Sequence, residues 1–139
     1  MKKNDLVRKA EYIDIMLSLM SKPYNINSIT KLIFFSFCVR HMLSFKSRSN
    51  NIVEEFFSNL SIKFQLNYYE IDDILWVIEL LEKNKMVEVE GDNIQFVDSR
   101  EYKSKNELLK QLANRNVNPI LEVNKLDASA VIEEVIRYV

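Results

Sequence analysis

A chain of 139 residues with 47% hydrophobic and 28% charged residues has the balance of a globular domain and the length for a real core. Its formal net charge of −1 offers no global field toward nucleic acid or anionic lipid. One glycine excludes a glycine-rich phosphate loop, and one cysteine and one histidine make half a zinc site at most.

The first residues, MKKNDLVRKAEY, lack the apolar core of a signal peptide, and the single thiol, Cys38, suits a reducing compartment. Both lead to the expectation of a cytoplasmic protein. Asn4 or Asp5 is placed to cap a helix over 5–20, with Leu6, Ile13, Leu17 and Met20 on one stripe. Pro23 biases Lys22 away from helix and marks a turn over 21–27. The stretch 28–46, SITKLIFFSFCVRHMLSFK, is apolar nearly all round and is expected to be the central helix, capped by Asn27 or Ser28. Lys31, Arg40 and His41 interrupt it, so it is not a membrane span.

Arg40, His41, Lys46 and Arg48 form a basic cluster around the end of that helix. Cations at a helix C-terminus favour the dipole, which is the ordinary reading. A contact with an anion or a partner is the alternative. Cys38 could share a face with His41, but a Cys–His dyad needs an exposed, activated thiol, and an apolar run predicts a buried one. No acid stands near His41 at helical spacing. Adjacent acids at 54–55 and 72–73 point in different directions on a helix and read as solvated faces. No catalytic, cofactor-binding or metal residues are therefore assigned.

A third helix is expected over 52–64, with Asn51 as its cap, then a connector over 65–69 and a fourth helix over 70–83. That fourth helix carries Ile71, Ile74, Leu75, Ile78 and Leu81 on one face, and Trp76, Val77 and Leu80 as a second apolar strip. A second strip predicts either burial on two sides or a docking surface. KMVEVEGDNIQFVD, residues 85–98, alternates as a hairpin with Gly91 at the turn; Val87, Val89, Ile94 and Phe96 are expected to face the core. A short helix over 105–115 follows, then an extended or irregular stretch over 117–124 containing Pro119. A last helix, 128–139, is capped by Asp127 and striped by Val131, Ile132, Val135, Ile136 and Val139.

Helices followed by a two-stranded hairpin is the element order of a winged-helix domain, with 70–83 in the recognition position. Between residues 70 and 85, however, five acids stand against two bases, and the hairpin adds Glu88, Glu90 and Asp92. Such surfaces repel phosphates, where a DNA reader needs Lys and Arg.

Three segments, KLIFFSFCVRHMLSFKSRSNN, ILWVIELLEKNKMVEVEGDNIQF and ELLKQLANRN with ASAVIEEVIRYV, together make the chain resemble the middle components of ABC three-component systems. These are small bacterial proteins encoded between a DNA-repair-type ABC ATPase and a larger effector. The resemblance implies a non-enzymatic adaptor joining ATPase and effector in bacterial defence or DNA metabolism.

The expectations are thus a mainly α protein with a small β-hairpin (α+β). Residues 1–98 form a winged-helix-like core with its wing at 86–97, and 99–139 a C-terminal helical extension that packs on the core or docks on a partner. Expected partners are proteins, the ATPase and the effector, or a second copy of the chain. Nucleic acid is expected only within a complex, and no membrane. Arg40, His41, Lys46 and Arg48 are the candidate partner or anion contacts; Val131, Ile132, Val135, Ile136 and Val139 the candidate docking stripe. The alternative is a winged-helix DNA-binding regulator.

Overall fold

The computed structural model describes residues 3–41, 52–98, 102–103, 106–115 and 118–138. The protein is mostly helical with one small antiparallel sheet. The order is α1 (Lys3–Met20), α2 (Ile29–His41), α3 (Ile52–Asn67), a 3-10 turn (Tyr68–Glu70), α4 (Ile71–Lys83), β1 (Val87–Glu90), β2 (Asn93–Phe96), α5 (Glu107–Ala113), α6 (Pro119–Asn124) and α7 (Ala128–Tyr138). No helix among the described residues is long and apolar enough to cross a membrane.

Helix α2 is central because it is apolar on nearly every side. Leu32, Phe35, Phe37, Cys38 and Val39 are all buried, although they point around most of the helix. Helices α1, α2 and α4 pack on one another, with β1 against α4, while α3 packs with α6 and α7. Helix α2 touches both groups, so it joins them into one core. The Phe35–Phe56 and Phe37–Phe64 pairs meet edge to face at 5.6 and 5.4 Å, an arrangement that aromatic quadrupoles favour.

The hairpin pairs Val87 with Phe96 and Val89 with Ile94, and Val97 N–H donates to Met86 O to extend the ladder. Val87 and Ile94 are buried, while Val89 and Phe96 are half-buried. Gly91 takes φ +60 at the turn, the left-handed region that a side chain disfavours. The turn is clamped to the start of α2. Ile29 N–H donates to Asp92 O at 2.8 Å, and Ile94 N–H to Asn27 O at 2.9 Å. The Asp92 carboxylate accepts from Ser28 Oγ (2.5 Å), Thr30 N–H (2.9 Å) and Thr30 Oγ1 (2.7 Å). Ser28 is also the cap of α2, accepting from Lys31 N–H at 3.2 Å. Burial pushes the Asp92 carboxyl up, but these hydrogen bonds outweigh it and hold the group below its ordinary value.

Four local expectations need correction. Helix α1 starts at Lys3, ahead of both expected caps, and Asp5 instead accepts from Arg8 Nη2 at 2.8 Å within the first turn. Helix α3 runs on to Asn67, because nothing in Gln65–Leu66–Asn67 breaks a helix, and Asn67 Nδ2 donates to Lys63 O at 3.0 Å. The fourth helix begins at Ile71, with Glu70 in the 3-10 turn before it. The stretch expected to be extended around Pro119 holds α6. Proline fits the first helical position, where its missing N–H costs nothing, and Asn118 caps the helix by accepting from Ile120 N–H at 3.0 Å. Asn118 is buried and also donates to Tyr24 Oη and Leu112 O, so one amide ties α5, α6 and the loop after α1. The cap expected for α7 is in place, Asp127 accepting from Ala130 N–H, and Asn106 caps α5 by accepting from Leu109 N–H.

Candidate functional site

The 3-10 turn between α3 and α4 places two kinds of surface back to back. On its inner side is Glu70, only 1% exposed. Its Oε1 accepts from Tyr12 Oη and from Arg40 Nη1, both at 2.9 Å, and its Oε2 lies 2.7 Å from His41 Nε2. A carboxylate only accepts, so Nε2 carries the proton. Arg40 Nη1 is 3.3 Å from the same nitrogen, the two donors lying side by side against one carboxylate. Arg40 Nε also donates to Glu11 at 3.0 Å, and its guanidinium sits over the Tyr12 ring. Burial pulls His41 below its ordinary pKa; Glu70 opposes that shift, and Arg40 and Lys63 add to it. The Tyr12 phenol is pushed well above its ordinary value, by burial first and by Glu70 second.

Of the four basic candidates, Arg40 and His41 thus face an internal anion, Glu70. Lys46 and Arg48 lie outside the described residues. The acid that engages His41 comes from 29 residues away, where no helical spacing could reveal it. Cys38 is fully buried, and burial pushes its thiol well up, so it is no activated nucleophile. Among the described residues no cluster of His, Cys, Asp or Glu could hold a metal ion.

On the outer side, Asp72, Leu75, Trp76, Glu79, Glu82 and Lys83 follow helical spacing and are all exposed. Tyr68 and Tyr69 continue that stripe at its start, 66% and 51% exposed. Leu75 and Trp76 are 45% and 37% exposed, large for a helix whose other face, Ile74, Val77, Ile78 and Leu81, is buried. Asp73, in contrast, turns to α1, taking Arg8 Nε at 2.9 Å and Lys9 Nζ at 3.4 Å. These two cations lie over the rings of Tyr69 and Trp76, at 5.6 and 5.2 Å from the centroids. The rings are thereby held in place while their outer faces stay open. The one base on the stripe, Lys83, stands 3.8 Å from Glu79. The outer strand positions Glu88 and Glu90 are exposed with no base between them.

The last helix packs in cis. Val131 and Val135 are buried where α7 meets α3 and α2, whereas Ile132 and Ile136, from the same expected stripe, are 40% and 67% exposed. Val139 lies outside the described residues. Comparison of the chain with protein-family models, curated proteins and solved structures finds no match.

Proposed function

We propose that the protein is a non-enzymatic adaptor whose outer α4 face docks a protein partner. The observation that carries this reading is the stripe Tyr68, Tyr69, Asp72, Leu75, Trp76, Glu79. It combines exposed aromatic and aliphatic side chains with acids at the position a winged-helix protein would present to DNA. Tyrosine and tryptophan anchors are the residues that interfaces favour. The acids favour a partner segment rich in Lys and Arg and oppose a phosphate backbone. Exposed Ile132 and Ile136 on α7 offer a second contact, as a bridging subunit requires. The resemblance to middle components of ABC three-component systems names the two partners: an ABC-type ATPase and an effector.

Purified chain mixed with the products of the two adjoining genes tests this by size-exclusion chromatography. The adaptor reading expects a ternary complex that Trp76→Ala weakens. A chain that elutes alone, retaining neither product, overturns it. The DNA-regulator alternative expects a low-salt gel-shift complex whose affinity falls steeply with salt. One of its three bases, Arg40, is already engaged by Glu70.

A further inference from the structure

A concavity of about 270 Å³ lies between the end of α1, the turn after it and α5, far along the chain from the α4 stripe. Its walls are Pro23, Leu109 and Ala113 with the ring of Tyr102, and Lys22, Lys103 and Lys110 line it as well. No carboxylate side chain lines it among the described residues. The nearby acids are engaged at its edge: Asp14 accepts from Tyr102 Oη at 2.7 Å, and Glu107 lies 3.5 Å from Lys110. Its floor is built rather than loose. Ser18 and Ser21 are buried and donate to Asp14 O and Leu17 O, and Ser21 Oγ also accepts from Tyr102 N–H at 3.1 Å. That bond seats the 102–103 segment against α1. Burial, with the hydrogen bond to Asp14, raises the Tyr102 phenol to about 12, so Tyr102 stays neutral.

Apolar walls with cations, and with no carboxylate lining them among the described residues, suit a ligand that is anionic at one end and apolar or planar at the other. The geometry points to a binding site for a small organic phosphate, its phosphate held by Lys22, Lys103 and Lys110 and its body against Tyr102, Pro23 and Leu109. The volume, just under the range of ordinary small-molecule pockets, limits the ligand to roughly a mononucleotide. A half-open recess of this size does not admit a nucleic-acid duplex or a folded partner.

AMP is a suitable probe, with adenosine and inorganic phosphate as its two halves, read by amide shifts of the isotope-labelled full chain. The expected result is saturable movement of Lys22, Tyr102, Lys103 and Leu109 with AMP. Each half should bind about tenfold more weakly or less, as expected when a charge-assisted contact or the body's burial is lost. The triple variant Lys22→Ala, Lys103→Ala, Lys110→Ala should lose at least about tenfold in affinity with an unchanged melt, since all three side chains are exposed. Wild type tests the same charges without substitution: raising salt from about 25 to about 300 mM should weaken AMP binding by screening exposed lysines. Three outcomes overturn the assignment. One is no saturable shift with AMP at low salt. Another is shifts confined to α4. The third is phosphate binding as tightly as AMP, which makes the contact an adventitious ion only.

Discussion

Glu70 and Asp72 stand two positions apart, and in the sequence both look like solvated acids at a helix start. In the structure they do opposite work. Glu70 is enclosed and gathers Tyr12, Arg40 and His41 from α1 and α2, so its charge organises the fold. Asp72 is exposed on the outer stripe beside Leu75 and Trp76, so its charge is left for solvent or a partner. Asp73 falls between them, paired to Arg8 and Lys9 across the α1–α4 seam. A residue's role here follows from which side of one turn it occupies, and a turn of about 100° per residue separates neighbours.

The inner side should be intolerant of change. Phe37 is fully buried, meets Phe64 edge to face and lies 4.5 Å from the His41 ring, centroid to centroid. Phe37→Ala should cost about 3–5 kcal/mol in denaturant melts, by lost burial and the cavity left behind. A midpoint near wild type would mean that α2 is not the centre of the core. Glu70→Ala should cost about 3 kcal/mol, because it leaves the Arg40 guanidinium, the His41 Nε2–H and a buried phenol without their shared acceptor. If Glu70→Ala melts like Asp72→Ala, the contrast between the two acids fails.

The same network should show in pH dependence. His41 is held below its ordinary value of about 6.5, so between its lower folded value and about 6.5 the unfolded chain binds more protons than the folded one. Stability therefore rises with pH across this window and is lost as pH falls below about 6.5. His41→Gln should flatten that slope between about pH 7.5 and 5.5 relative to wild type. An identical slope would mean that His41 titrates alike in both states. Asp92 acts lower: its contribution is present above the ordinary carboxyl value and fades as pH falls through its depressed folded one. Asp92→Ala should cost about 1–2 kcal/mol at neutral pH, through loss of the Ser28 and Thr30 bonds that clamp the hairpin to α2.

Much of the inner side was legible in advance, and the reason is local periodicity. The apolar run at 32–39 needs no partner to announce a buried helix, and VEVEGDNIQF carries its own alternation and its turn glycine. Helix α6 falls where the sequence reads as extended or irregular around Pro119, although Asn118 before it is a good cap and proline suits the first turn. The Glu70 network was not legible, since its members are 29 to 58 residues apart and meet only through packing of three elements. The outer stripe was half legible. The second apolar strip on the fourth helix was visible, but Val77 and Leu80 turn inward or sit half-covered while Leu75 stays out. The hydrogen-bonded recess beside Tyr102 left no trace in spacing at all.

The smallest expected effect on stability is the one that matters most for the outer side. Asp72 is exposed, whereas Glu70 is enclosed by its network. Asp72→Ala should shift stability by less than about 0.5 kcal/mol, the usual range for surface changes. Trp76→Ala removes a half-covered ring and the seat for Lys9, so it should cost a little more, about 1 kcal/mol. Both variants should nevertheless reduce retention of a basic protein partner, and Asp72→Ala should do so mainly by slowing association, with a weaker salt dependence than wild type. Surface plasmon resonance with the partner immobilised at two salt concentrations separates the cases. A variant that is stable, associates more slowly and has lost salt sensitivity places Asp72 on the docking face. Unchanged kinetics for both variants would leave the outer stripe as ordinary solvated surface and move the search to Ile132 and Ile136.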